Sequence, residues 1–233
     1  MDTGLYSGVA SMHSAEKRLE ALTSNIANVA THGYKRQNAI VRSFSVGMGV
    51  NKHSEITTQR TTDFTQGELE HTGNTFDLAL DGDGFFAVDS PSGTSYTRNG
   101  SFRIDDQGVL LTQTGLPVQW SGGRATLRPA ADPITIFPSG EVQQGSAVVG
   151  RLKVVSFPHP QALDLDAGGN WVAPIGVRET PSDAQVRQGN LERANVNSMD
   201  ELVAMVIAQR NFESSSTLMR TIDQTFKRLN TPH

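Results

Sequence analysis

Apolar residues recur every seven positions at the two ends of the chain and in short, closely spaced runs through its middle. With a heptad position a set at Leu5, the a residues are Leu5, Met12, Leu19 and Ile26, and the d residues are Gly8, Ala15, Leu22 and Val29. The intervening positions are mainly polar or small, as at Ser11, His13, Ser14, Glu16, Lys17, Arg18 and Glu20. A stripe sustained in this way predicts a helix over residues 3–31 that packs along another helix. The small residues Gly8 and Ala15 would permit close approach, and Gly33 can take the left-handed conformation that ends a helix.

The other end of the chain repeats the pattern. Setting a at Met205 gives Met205, Phe212, Met219 and Phe226, with Ala208, Ser215, Ile222 and Leu229 at d. The run Ser-Met-Asp-Glu at 198–201 reads as a capping box, in which Ser198 and Glu201 each satisfy a backbone donor at the helix start. Asp200 and Glu201 in the first turn, and Lys227 and Arg228 in the last, suit the helix dipole. Each helix carries one narrow stripe, which fits either an antiparallel pair within the chain or packing against helices of other chains.

Between the ends the period changes. "FDLAL", "GFFAVD", "TSYT", "SFRI", "VLLTQT", "ATLR", "ITIF" and "GRLKVVSF" are strand-like, and turn signals such as Asp81-Gly82-Asp83-Gly84, Asn99-Gly100 and Pro138-Ser139-Gly140 separate them. Short strands with such turns predict an all-β region with several hairpins, Asn99-Gly100 among the tight turns. Residues 36–62 are polar and Thr-rich and read as an extended connector. Residues 158–184 read as long loops around a short strand at Trp171-Val172. The predicted fold class is α+β: a mainly-β central domain flanked by amphipathic terminal helices that pair as a coiled coil. Its parts are an N-terminal helix in 1–35, a β-rich domain in 36–190 including the 36–62 connector, and a C-terminal helix in 191–233.

Composition narrows the chemistry. Hydrophobic residues are 36% and aromatics 6%, a lean supply that predicts a modest core with apolar surface left for partners. A net charge of −4 gives no reason to expect nucleic acid as a partner. The absence of cysteine excludes disulfides, thiolate zinc sites and cysteine nucleophiles. No apolar run approaches the roughly 20 residues that span a bilayer, so membrane insertion is not expected. The first residues lack the basic and apolar regions of a secretory signal peptide.

Catalytic signatures are missing: there is no P-loop, HExxH, GxSxG or CxxC. The stretch Asp81–Phe86 opens like a calcium loop, but Ser92 stands where the terminal glutamate belongs, so it reads as a turn. The six histidines are scattered, and neither a metal nor another cofactor is expected. Lys35, Arg36 and Arg42 form a small basic group, read as a solvated stretch or as an interface to an acidic neighbour.

Four blocks, taken together, resemble a known family. "SNIANVATHGYKR" at 24–36 is similar to the N-terminal signature of the rod and hook proteins, the axial proteins of the bacterial flagellum. "TQGELEHTGNTFDLALDGDGFFAV" at 65–88, "YTRNGSFRIDDQGVLLTQTGLPVQ" at 96–119 and "QGNLERANVNSMDELVAMVIAQRNFESSSTLMRTIDQT" at 188–225 resemble its later blocks, in the family's order. The short length and brief 37–62 segment are most like the proximal-rod member, with the distal-rod member as the alternative.

The resemblance implies a structural, non-enzymatic subunit in the periplasmic rod that carries torque from motor to hook. Its terminal helices would form an inner coiled-coil layer and its β domain an outer layer. The partners implied are other rod and hook proteins and the flagellar type III export apparatus, through which the chain would leave without a cleaved signal. The implied contact residues are the stripe positions Leu5, Met12, Leu19, Leu22, Ile26, Val29, Met205, Phe212, Met219, Ile222, Phe226 and Leu229. Asn25, Asn28, Gly33 and Tyr34 would set the joint between layers, with the asparagines bonding across a crowded multi-helix contact. A different class of reading is a glycan-binding β domain with a dimerising coil, for which Trp120 or Trp171 would have to be an exposed platform.

Overall fold

The computed structural model describes residues 2–46, 53–123, 125–128 and 132–230, leaving aside the side chains of 2–7, 42–46, 53–57, 222–223 and 226–230. Two long helices, α1 (Asp2–Ala27) and α2 (Ser198–Asn230), bracket a run of mostly short strands. The chain divides into two compact units. One contains residues 1–29, 36–63 and 196–233, and the other contains residues 30–35 and 64–195.

In the helical unit α1 packs on α2, and a hairpin of β1 (Gln37–Val46) and β2 (His53–Thr62) packs on α1. The hairpin pairs antiparallel from Gln37↔Thr62 to Val46↔His53, and the Asp63 N–H closes its base on the Arg36 carbonyl at 2.8 Å. The segment read as an extended connector is therefore a two-stranded ribbon, and it groups with the helices rather than with the other strands. Its Thr-rich composition has strand propensity, but Ile40 and Val41, neighbours on opposite faces of β1, are both exposed, which blurs the alternation.

The β unit is antiparallel throughout. A six-stranded sheet runs β14 (Asp164–Leu165), β15 (Trp171–Val172), β6 (Gly93–Thr97), β5 (Phe85–Ser90), β13 (Val154–Ser156) and β16 (Thr180–Pro181). A four-stranded sheet runs β10 (Ile134–Ile136), β11 (Glu141–Gln144), β12 (Ala147–Leu152) and β9 (Trp120–Ser121). Three further pairs join β3 (Leu69–His71) to β18 (Asn190–Glu192), β4 (Leu78–Asp81) to β17 (Gln185–Gln188), and β7 (Phe102–Ile104) to β8 (Leu110–Thr112). The pairs β3–β18 and β4–β17 bring the end of the unit back to its beginning.

Two apolar clusters fill the β unit. One gathers Leu78, Leu80, Phe86, Val88, Phe102, Trp120, Val142, Leu152 and Val186. The other is aromatic: Phe64 meets Trp171 edge-on at 5.0 Å, and Tyr96 meets Phe157 at 4.9 Å. Burial and the hydrogen bond from the Tyr96 hydroxyl to Glu179 raise the phenol well above its ordinary pKa.

Several local expectations change. Asn99-Gly100 is not a hairpin turn: Asn99 Oδ1 accepts the Ser101 N–H at 3.0 Å, and β6 and β7 pair with other strands. Glycine is required at 100 because a Cβ there would lie 1.6 Å from the Leu78 carbonyl oxygen. Residues 125–128 form no strand, although Leu127 is buried. The strands β11 and β17 carry single buried valines, Val142 and Val186, among polar residues, which is too little alternation to read.

Candidate functional site

The helix pair is antiparallel. Gly8 faces Met219, whose Sδ lies 2.5 Å from where a Cβ on residue 8 would stand. Ser11 and Ser215 bring their hydroxyls to 3.3 Å, and Asn25 reaches Glu201. Glycine at position 8 thus lets the helices approach at that level. Leu22 and Ala208 are buried in the pair, while Met12, Leu19, Ile26, Met205, Phe212 and Met219 are half-buried. Leu5, Ile222, Phe226 and Leu229 lie within the helices, but their side chains lie outside the described residues.

The helix ends differ from the expected ones. Helix α1 stops at Ala27, so Val29 follows it, and the Asn28 side chain turns back to the Ser24 carbonyl at 2.9 Å. At the start of α2, Asn197 Oδ1 accepts the Met199 N–H at 3.0 Å. Asn197 is the cap, and Glu201 is released from the capping box to other partners.

Those partners form a buried polar cluster in the helical unit. Glu201 Oε1 accepts Arg36 Nε at 2.6 Å, and Oε2 accepts Asn25 Nδ2 at 2.9 Å. Asn25, fully buried, also accepts the Gln37 N–H at 2.8 Å and donates to the Gln37 carbonyl at 2.9 Å. One amide therefore ties α1 to the first residue of β1 and to the first turn of α2. The expected role for Asn25 is a bond across helices; the bond to Glu201 has that character, and the two to Gln37 go to a strand backbone.

A second cluster lies in the β unit. Lys35 Nζ donates to Glu192 Oε1 at 2.6 Å and to the Thr65 carbonyl at 2.7 Å. Glu192 Oε1 also accepts the Gly67 N–H, and its Oε2 accepts Arg98 Nη1 at 3.2 Å. The side chains of Lys35, Glu192 and Arg98 are 0%, 1% and 3% exposed, so the sequence reading of Lys35 as part of a solvated basic stretch is corrected. Burial lowers the Arg98 pKa, and the nearby Glu192 and Asp83 carboxylates oppose that shift.

Gly33 and Tyr34 belong to this unit. Gly33 has φ +71°, and its N–H donates to the Glu192 carbonyl at 2.7 Å. A Cβ there would lie 2.3 Å from the Arg98 carbonyl carbon, so only glycine seats the segment. Gly33 is thus a docking point for residues 30–35 rather than the stop of α1. Tyr34, half-buried, accepts the Asn195 N–H at 3.4 Å through its carbonyl.

Sequence reasoning missed Lys35, Glu192, Arg98, Arg36 and Glu201 as a set. Isolated charges carry no periodic signal, and the two pairs join residues 157 and 165 positions apart. It also missed a second apolar row on α2. Met199, Leu202, Val203, Val206 and Ile207 are 46–71% exposed, at spacings that put them on one helix face. This row is distinct from the stripe that meets α1.

The exposed apolar row offers surface for association. Trp120 and Trp171 are both buried in the two cores, so neither presents a stacking platform for a sugar. Among the described residues no group of His, Asp and Glu could hold a metal ion, and no helix is long and apolar enough to cross a membrane.

Comparison with known proteins points the same way along the whole chain. Residues 5–35 match the family described as flagella basal body rod protein. Residues 79–144 match the flagellar hook protein FlgE/F/G D1 domain, and residues 187–231 the flagellar basal body rod FlgEFG protein C-terminal region. The chain is 33% identical over 227 residues to flagellar basal-body rod protein FlgF of Caulobacter vibrioides, covering 94% of this chain and 93% of that one. It is 31% identical over 225 residues to FlgF of Mesorhizobium japonicum, with 94% and 93% covered. It is 31% identical over 260 residues to flagellar basal-body rod protein FlgG of Bacillus subtilis, with 97% of each covered.

Proposed function

The chain belongs to the flagellar basal-body rod proteins and is a structural subunit of that rod; from this premise we propose that it occupies the proximal rod, as an FlgF-like member. Alignment to the Caulobacter FlgF spans 227 positions for 94% of the chain, whereas alignment to the Bacillus FlgG needs 260 positions for 97%. Fewer gaps, and a hairpin confined to residues 37–62, support the FlgF-like reading. Membership of the family implies assembly with other axial proteins of the flagellum. The finer reading is that the subunit stands in the periplasm, has no enzymatic activity, and leaves the cell body through the flagellar type III export apparatus.

The observation that carries the assembly mechanism is the exposed row Met199, Leu202, Val203, Val206 and Ile207. Five large apolar side chains on one face of a helix are costly to leave in water, at about 25 cal/mol per Å². We assign this row to contacts with neighbouring axial subunits. The stripe residues Met12, Leu19, Leu22, Ile26, Met205, Phe212 and Met219 serve assembly indirectly, by holding α1 on α2.

The test places a photo-crosslinking residue at Leu202 in a motile strain. Adducts with other axial proteins are expected, and the Leu202→Glu/Val206→Glu chain should melt as the unaltered chain does yet fail to restore motility. Normal motility of that double variant would refute the assignment. For position along the rod, the expected result is that FlgG-type subunits fail to assemble in a strain lacking this chain. Their normal assembly would favour a distal place instead.

A further inference from the structure

We propose that the Lys35–Glu192 tie is a mechanical short circuit that keeps tension in the terminal segments out of the β unit. It rests on the reading of the chain as a torque-carrying rod subunit. Its basis is topological. The chain first enters the β unit at Ala30 and finally leaves it at Asn195. Three contacts join the incoming and outgoing segments: Gly33 N–H to the Glu192 carbonyl at 2.7 Å, Lys35 Nζ to Glu192 Oε1 at 2.6 Å, and the longer Asn195 N–H to the Tyr34 carbonyl at 3.4 Å. Along the chain, 157 positions separate Lys35 from Glu192. A pull on residue 30 against residue 193 is therefore carried by the tie together with the β18 end, where the Arg193 N–H donates to the Glu68 carbonyl at 2.9 Å, before it reaches the other strands in between.

The tie is built to hold. The Glu192 carboxylate accepts from Lys35, Gly67 N–H and Arg98, so it is fixed from three sides. Lys35 has a second acceptor in the Thr65 carbonyl. The buried charges cannot exchange partners with water one bond at a time, so the bonds yield together when the segment leaves. Without the tie, the whole load would fall on β18, which pairs with β3 over three residues, Asn190 to Glu192. Stability alone does not call for such a cluster, because well-packed apolar residues often do as well as a buried ion pair. Resistance along one direction does.

The chain has no cysteine, so Ala30→Cys and Arg193→Cys provide unique handles for single-molecule pulling on the full-length protein. Lys35→Met should at least halve the rupture force along this axis. The release of about 550 Å should be unchanged, at ~3.5 Å per residue for the 157 intervening positions. With handles at Ser92 and Gln107, two exposed turn positions, the same substitution should leave the rupture force within a quarter of the unaltered value.

An unchanged force along the 30–193 axis overturns the proposal. So does an equal loss along both axes, which would make the pair an ordinary stabiliser. If Lys35→Met does not fold, Lys35→Met/Arg98→Met/Glu192→Leu removes the tie together with all three buried charges of the cluster, and the same two outcomes decide. The rod reading fails separately, if the unaltered chain does not enter the basal body, and the pulling results stand or fall without it.

Discussion

Asn25 shows how a polar residue inside a helix stripe can be structural. Its amide bonds the Gln37 backbone as a neighbouring strand would, and adds the Glu201 carboxylate. Asn25→Ala leaves these buried groups without their partner, at about 1–3 kcal/mol for each unsatisfied group. The expected result in thermal denaturation is a loss of about 2–4 kcal/mol. Asn25→Asp sets a carboxylate beside Glu201, which favours the protonated acid in the folded state. A folded-state pKa raised in this way means stability falls as pH rises, so the variant should lose most at pH 7 and recover part of the loss in mild acid. Glu20 works in the opposite sense. The hydrogen bond from Lys17, helped by charges on Lys17 and Arg60, lowers its pKa. Its contribution is present above the unfolded carboxylate pKa and fades as pH falls through the lowered value. Acid titration of Lys17→Met followed by circular dichroism should show that fading reduced.

At the scale of elements, Gly8 governs the distal end of the helix pair. Gly8→Ala needs only a shift of the flexible Met219 end, whereas Gly8→Leu must displace the whole side chain. Overpacking of this kind costs about 1–3 kcal/mol. Loss of helical signal on Gly8→Leu, partly restored by Met219→Ala, is the expected pattern in circular dichroism. The two long helices were legible because a seven-residue stripe repeats over several turns, and the cap of α2 falls at Asn197, one residue before the Ser198 expected from the sequence. The end of α1 was not, because Val29 continues the stripe while the backbone turns away. The β1–β2 hairpin was illegible since its strands are Thr-rich and polar, and its adjacent apolar pair Ile40 and Val41 breaks the alternation. The functional surface was half legible: the heptads mark the face that meets α1, but the row from Met199 to Ile207 falls off that register.

At the scale of the whole molecule, domain limits follow buried charge rather than secondary structure. A cut at residues 37 and 190 looks natural from the helix stripes. It removes Lys35 and Glu192 together, leaving Arg98 buried without its carboxylate partner. Breaking a buried ionic group costs about 3–5 kcal/mol. A fragment of residues 30–195 should therefore melt cooperatively about 10 °C above a fragment of 37–190, at about 2–4 °C per kcal/mol for a chain of this size. Equal melting temperatures in calorimetry would show that the cluster contributes no stability.

Glu192 has a further consequence for how such chains diversify. By fixing the outgoing strand to the incoming segment at Gly33 and Lys35, it makes the beginning and end of the β unit near neighbours. A unit whose outer ends meet can be enlarged or shortened within residues 64–195 while the chain crosses into the helical unit at the same four junctions. The helical unit can then stay constant while the β unit joined to it changes in size.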